Sequence, residues 1–299
     1  MEKAVLIITV LTGVGILFGF ILAYANKKFA LEVNPLIHIV EDVLPKGQCG
    51  ACGYAGCMAY AEAVVLNADV PPTLCIPGKE PVAKAVGELT GKVAAAMEPR
   101  IAQVKCAGSN EKAVSAYAYQ GISDCVAANL LFGGQKLCKY GCLGLGTCVK
   151  RCPFGALTMS DAGLPVVDAV KCTGCGVCQG VCPKGVITMA PLDAHVRVNC
   201  NSKDKGPVAR KACTTACIAC TLCLKECSYG AIKMENNLAV VDAKICAEQC
   251  SEAKCLTKCP TKAIRPAIKG VVPGTEDKSP CSVCTQEKVQ VPDQNVLTQ

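Results

Sequence analysis

The hydrophobic pattern begins with an unbroken apolar stretch. Residues Ala4 to Ala25 run through 22 positions without a charged side chain. At a rise of about 1.5 Å per residue this length crosses a hydrocarbon core of roughly 30 Å. The run has no polar face, as a buried soluble helix would. It also exceeds the apolar region of about 7–15 residues in a cleaved signal peptide, despite the A-x-A at Ala23–Ala25. A transmembrane helix is expected. Lys27 and Lys28 follow the span, against Lys3 beside Glu2 before it. That bias predicts a single-pass protein of the cell inner membrane with its bulk on the cytoplasmic side. Gly15 and Gly19 form a G-x-x-x-G pair suited to packing against another membrane helix.

Beyond the anchor the periodic segments are short. A helix is predicted through Met58–Asn67, ended by Pro71-Pro72, and helical spacing with many alanines continues over Pro81–Gln103. Ser123 is a candidate cap for a helix through Cys125 and Asn129, and Gly133-Gly134 mark a boundary. Two matching stretches follow. Phe154-Gly-Ala-Leu-Thr-Met leads through Leu164-Pro-Val-Val-Asp168, and Tyr229-Gly-Ala-Ile-Lys-Met leads through Leu238-Ala-Val-Val-Asp242. Each reads as a short hairpin, and together they form an internal repeat.

Cysteine changes the picture most. The 299 residues include 26 cysteines, but no tryptophan, five phenylalanines and two histidines. With so few aromatics, folding energy must come partly from disulfides or from metal ligation. Most cysteines fall in tight groups of four, a crowding that disulfide geometry does not use and a metal cluster requires. The formal charge of +7 carries no nucleic-acid inference. A [4Fe–4S] core of roughly +2 held by four thiolates leaves about −2 per site, so five such sites would make the protein mildly acidic.

The first group is Cys49-x2-Cys52-x4-Cys57, with Cys75 as the fourth ligand. Glycines between its thiols let the backbone wrap a cubane; zinc is the rival metal. The strongest signal is four further groups: Cys138-x3-Cys142-x5-Cys148-x3-Cys152, Cys172-x2-Cys175-x2-Cys178-x3-Cys182, Cys217-x2-Cys220-x2-Cys223-x3-Cys227 and Cys246-x3-Cys250-x4-Cys255-x3-Cys259. Two have the spacing of two-cluster bacterial ferredoxins and two are loosened versions, with Ser228 replacing one of the trailing prolines. In that arrangement the fourth cysteine serves the other cluster of the pair. The spacing therefore predicts clusters on Cys138, Cys142, Cys148 and Cys182; on Cys172, Cys175, Cys178 and Cys152; on Cys217, Cys220, Cys223 and Cys259; and on Cys246, Cys250, Cys255 and Cys227.

Six cysteines remain. Cys106, Cys125, Cys200 and Cys213 precede the two modules at matching places, and would either form a sixth cluster between facing modules or be two local thiol pairs. Cys281 and Cys284 lie in a polar tail and read as a solvated pair. Cys213-x3-Cys217-x2-Cys220 matches radical S-adenosylmethionine enzymes in spacing, but their long barrel does not fit around ferredoxin motifs, and Ala219 stands where an aromatic is usual. His38 and His195 are isolated, and no nucleotide loop or acid–base constellation appears. No catalytic residue is assigned, and substrate chemistry belongs on other subunits.

The expected architecture is α+β: a transmembrane anchor (1–29), a single-cluster Fe–S domain (30–80), a helical connector (81–134), two tandem bacterial-ferredoxin-like modules (135–192 and 193–268) and a polar tail (269–299). Over residues 1–268 this order resembles the B subunits of Rnf complexes. The likeness includes Cys49–Cys75, the run from Lys136 to Cys148, and Lys205-Gly-Pro-Val-Ala-Arg-Lys-Ala-Cys213. The resemblance implies a membrane complex that oxidises reduced ferredoxin, reduces NAD+ and moves Na+ or H+. This chain would take electrons from reduced ferredoxin and pass them to other membrane and peripheral subunits, with no nucleic acid as partner. The alternative is an Fe–S electron-input subunit of another membrane respiratory oxidoreductase, which gives no reason for the Cys49–Cys75 site.

Overall fold

The computed structural model describes residues 2–29, 34–192, 195–250 and 253–267. The polar tail, with Cys281 and Cys284, lies outside them. The uncharged run forms one helix, α1 (Glu2–Phe29), long and apolar enough to cross a membrane. Its large side chains, among them Leu11, Phe18 and Leu22, face outward, as suits lipid rather than water.

A small helical unit follows. Asn34 caps α2 (Pro35–Val43), its Oδ1 accepting from Leu36 N at 3.0 Å with Pro35 at the first turn. Helices α3 (Cys57–Leu66) and α4 (Lys79–Thr90) close on it around Ile37, Val40, Leu44, Tyr60, Val64 and Val86. Lys92 Nζ donates to the carbonyls of Val64, Asn67 and Val70 at 2.7–2.8 Å. It thereby holds the carbonyl end of α3 with a cation. The helical spacing expected through Gln103 stops at Thr90. Gly91 takes φ 68°, a left-handed cap open to glycine without strain, and the chain then extends into a strand.

The remainder is two units built alike. In the first, β1 (Arg100–Val104) leads to α5 (Cys125–Leu130), α6 (Thr147–Lys150), the hairpin β2 (Leu157–Met159) and β3 (Pro165–Val167), α7 (Val177–Gly180) and β4 (Ile187–Pro191). Strands β1 and β4 pair antiparallel, Arg100 opposite Pro191 and Val104 opposite Ile187, and so enclose the β2–β3 hairpin. The second unit repeats this plan. It runs through β5 (Val196–Val198), α8 (Gly206–Ala212), α9 (Leu222–Glu226), the hairpin β6 (Ile232–Glu235) and β7 (Leu238–Val241), α10 (Ala243–Gln249), α11 (Lys254–Lys258) and β8 (Ile264–Pro266). Here β5 pairs with β8 around the β6–β7 hairpin. The strand that closes the first unit thus lies upstream of residue 135, inside the stretch read as connector. Its apolar residues Ile101, Ala102 and Val104 belong to that unit's core.

The stretch between β1 and α6 joins the two units. Lys105 N donates to Val186 O, Val114 N to Ala212 O, Thr214 N to Lys112 O and Leu137 N to Val114 O. Residues 112–115 therefore sit between Lys136–Leu137 of the first unit and Ala212–Thr214 of the second.

Candidate metal centres

None of the 24 cysteines of the described residues is in a disulfide, and they gather in six sets of four. Site I is lined by Cys49, Cys52, Cys57 and Cys75. Site II is lined by Cys152, Cys172, Cys175 and Cys178, and site III by Cys125, Cys142, Cys148 and Cys182. Site IV is lined by Cys106, Cys138, Cys200 and Cys213, and site V by Cys217, Cys220, Cys223 and Cys259. Cys227, Cys246, Cys250 and Cys255 meet in the core of the second unit as site VI.

Local structure explains the crossing of ligands. Helix α6 holds Cys148 in site III and delivers Cys152, just past its end, to site II. Helix α7 does the reverse with Cys178 and Cys182. In the second unit α9 and α11 exchange Cys227 and Cys259 in the same way. Each turn of helix thus points one thiol to its own site and the next to its neighbour's.

Spacing and structure part at two cysteines. Cys138, expected beside Cys142, Cys148 and Cys182, lines site IV instead, and Cys125 takes its place. The cause is the start of α5. Asp124 caps it, accepting from Val126 N at 2.8 Å and Ala127 N at 3.0 Å. Thr147 Oγ1, at the start of α6, donates to Asp124 Oδ2 at 2.9 Å and accepts from Cys125 N at 2.6 Å. This tie sets Cys125 against the helix that carries Cys148. Ser123, the expected cap, lies one residue too early; its hydroxyl reaches Leu145 O at 3.5 Å. A signal for the exchange was present in the sequence. Cys138-x3-Cys142 and Cys213-x3-Cys217 are equivalent spacings, and aligning them puts Leu145 where the second unit has Cys220. The first unit lacks that middle ligand, and Cys125 supplies the thiol from another helix.

Site IV draws Cys106 and Cys138 from the first unit and Cys200 and Cys213 from the second. The backbone comes close there. A Cβ on Gly108 would stand 3.3 Å from Cys213 Sγ and 3.6 Å from Cys106 Sγ, so glycine gives the thiols their room. Lys136, a buried lysine, lines the same cavity and donates from Nζ to Gly108 O at 2.9 Å.

The sites follow one another in single file. The Phe154 ring lines both site I and site II. Sites II and III share α6 and α7. Cys142 N, of site III, donates to Cys106 Sγ of site IV at 3.4 Å. Cys200 of site IV accepts from Ser202 N at 3.5 Å and from the backbone N–H of Cys217, a residue of site V. Sites V and VI share α9 and α11. Further N–H donors aim at sulfur within site II, Ala102 N at Cys172 and Ala156 N at Cys152, both at 3.4 Å.

Burial pushes many of these thiols up, Cys142, Cys178 and Cys255 to about 12 and Cys75, Cys148, Cys200, Cys223 and Cys246 to about 11. Thiols crowded together and largely withdrawn from water become thiolates together only against a cationic centre. Among the described residues no three His, Cys, Asp or Glu side chains converge closely enough to hold a single ion. Zinc would need its sulfurs about 2.3 Å from one point. The thiols of each set instead stand apart around one shared cavity, as a cluster requires.

Comparison with known proteins agrees with this chemistry. Residues 44–77 match a family described as "Putative Fe-S cluster", and residues 138–186 match a 4Fe-4S dicluster domain. The B subunit of the proton-translocating ferredoxin:NAD(+) oxidoreductase complex of Clostridium ljungdahlii is 60% identical over 247 residues, 83% of this chain and 87% of its own length. The B subunit of the ion-translocating oxidoreductase complex of Methanosarcina acetivorans is 45% identical over 80% of this chain and 90% of its own. Its counterpart in the Na(+)-translocating ferredoxin:NAD(+) oxidoreductase complex of Acetobacterium woodii is 42% identical over 83% and 74% respectively.

Proposed function

Because this chain belongs to the family of B subunits of ion-translocating ferredoxin:NAD+ oxidoreductase complexes, we propose that it holds six [4Fe–4S] clusters, takes electrons from reduced ferredoxin and passes them along these clusters to the other subunits. It is an electron-transfer subunit of such a complex, and shares in its oxidoreductase and translocase activity without a substrate site of its own. The observation that carries the number six is the gathering of 24 thiols into six sets of four in single file.

Cysteines would hold one cluster at each of sites I to VI. Bound there, the clusters supply one-electron redox chemistry. The rest is the work of this chain. Short helices fix the thiols in crossed pairs, as in bacterial ferredoxins, in both the first and the second unit. N–H groups of Ala102, Ala156, Cys142 and Ser202 point at sulfurs and favour added negative charge there. Helix α1 would anchor the chain by a single crossing of the cell inner membrane. Lys27 and Lys28 favour a bulk on the cytoplasmic side, with site I next to the anchor in the chain.

The full-length chain, reconstituted with clusters under anaerobic conditions in detergent, tests this reading by iron, sulfide and zinc analysis. About 24 iron and 24 sulfide per chain are expected. About 20 would leave one of the six sites without a cluster and refute the number six, and zinc in place of iron would overturn the reading.

A further inference from the structure

Outside α1, exposed apolar side chains concentrate in residues 114–137, the segment that crosses site III. Ile122 is 75% exposed, Leu130 81% and Phe132 100%. Tyr117 Oη donates to Leu131 O at 2.8 Å and Leu137 N donates to Val114 O at 2.8 Å, so the segment folds back on itself as one surface. Phe132 also has φ 50°, a conformation costly for a bulky side chain. A fully exposed ring in a strained position contributes nothing to folding. Among the described residues nothing covers it, and exposed apolar surface of this kind marks a protein contact.

What lies beneath the surface and around it indicates the partner. Cys125, at the start of α5, lines site III, and Val126 and Leu130 of the same helix face outward. The rim is basic. Lys150 Nζ bonds Ser123 O at 2.8 Å at one end. At the other, Lys184 Nζ bonds Lys139 O at 2.8 Å and stands 3.3 Å from the Cβ position of Gly133. Asp124, the carboxylate of α5, is engaged by Val126 N, Ala127 N and Thr147 Oγ1. Six loaded sites would bring the formal +7 to about −5, so this rim is a basic island on an acidic protein. A small carrier protein holding thiolate-ligated clusters is anionic for the same reason, and a basic rim steers it.

We propose that this surface docks the small anionic iron–sulfur carrier protein that donates electrons. Phe132 and Leu130 are its apolar anchors, Lys139, Lys150 and Lys184 its steering rim, and site III its point of entry. The inference rests on the reading that reduced ferredoxin is the donor. On transfer the carrier is oxidised by one electron and this chain reduced by one; no bond forms or breaks and no proton is required.

The test is stopped-flow mixing of the full-length reconstituted chain with a chemically reduced two-[4Fe–4S] bacterial ferredoxin, followed by visible bleaching at several salt concentrations. Lys139→Glu with Lys150→Glu should slow the second-order reaction about tenfold or more at low salt and flatten its salt dependence. Phe132→Asn with Leu130→Gln should slow it at every salt concentration; Asn is well tolerated at φ 50°. Lys225→Glu, exposed on the second unit, is the control. Iron content is measured first, and should one pair lose iron, the other decides. Wild-type rates in the iron-replete pairs would overturn the proposal, as would slowing by Lys225→Glu alone. If ferredoxin fails to reduce even the wild type while dithionite succeeds, the donor reading itself falls. If ferredoxin reduces all variants equally, only the docking surface falls.

Discussion

Lys136 stands between two candidate centres. Its ammonium is buried, lines site IV and bonds Gly108 O, and its charge is felt at Cys142 of site III. A buried cation favours whichever state of its neighbour is more negative, and for a cluster that is the reduced one. Lys136→Met should therefore lower the midpoint potential of the cluster held at site IV, and Lys136→Arg should retain it. An EPR-monitored redox titration checks this, and an unmoved potential at full iron content would dismiss the role. The exchange of Cys125 and Cys138 has a sharper test. If Cys125 and Cys182 serve one centre, Cys125→Ala with Cys182→Ala leaves about 20 iron of 24, whereas Cys138→Ala with Cys182→Ala leaves about 16. Equal iron in these two double variants, or the reverse order, would contradict the grouping. At this scale the sequence showed which residues are ligand-type. It did not show that the Asp124–Thr147 tie carries Cys125 to α6, because a hydrogen bond between residues 23 apart has no local signature.

The elements are short and depend on their ends. Helix α10 is seven residues long and carries Cys246. It is held by Asp242, whose Oδ1 accepts from Lys244 N at 3.0 Å and Ile245 N at 3.3 Å. Asp242→Ala should cost about 1 kcal/mol and appear as earlier loss of iron from the second unit under denaturant; unchanged loss would show the cap to be dispensable. The hairpins were legible because their cues are local. Leu238–Val241 follows Asn236 and Asn237, which take φ 49° and 62° as a tight hairpin turn needs. Strand β1 was not legible. Arg-Ile-Ala-Gln-Val lies within an alanine-rich stretch with helical spacing, and it becomes a strand because Ile187–Pro191, far along the chain, offers it a ladder.

At the scale of the whole molecule, site IV is the one place where thiols of both units meet among the described residues. The single-file order then predicts that Cys200→Ala with Cys213→Ala separates them. Sites V and VI should remain loaded and reducible by dithionite, while electrons entering the first unit no longer reach them on the millisecond scale. Freeze-quench EPR decides, and undiminished transfer would mean a second route. The sequence by itself determined the long apolar helix, the iron–sulfur chemistry and the duplication, because apolar length, thiol spacing and repeat period are written in consecutive residues. Its spacing also grouped the cysteines that line sites I, II, V and VI, because those fall within one unit's loops. Only the tertiary structure decided which thiols share sites III and IV, the order of all six, and the apolar surface over Cys125. Those depend on how the segment from 105 to 137 threads between two units, a matter of long-range hydrogen bonds and packing that no spacing along the chain encodes.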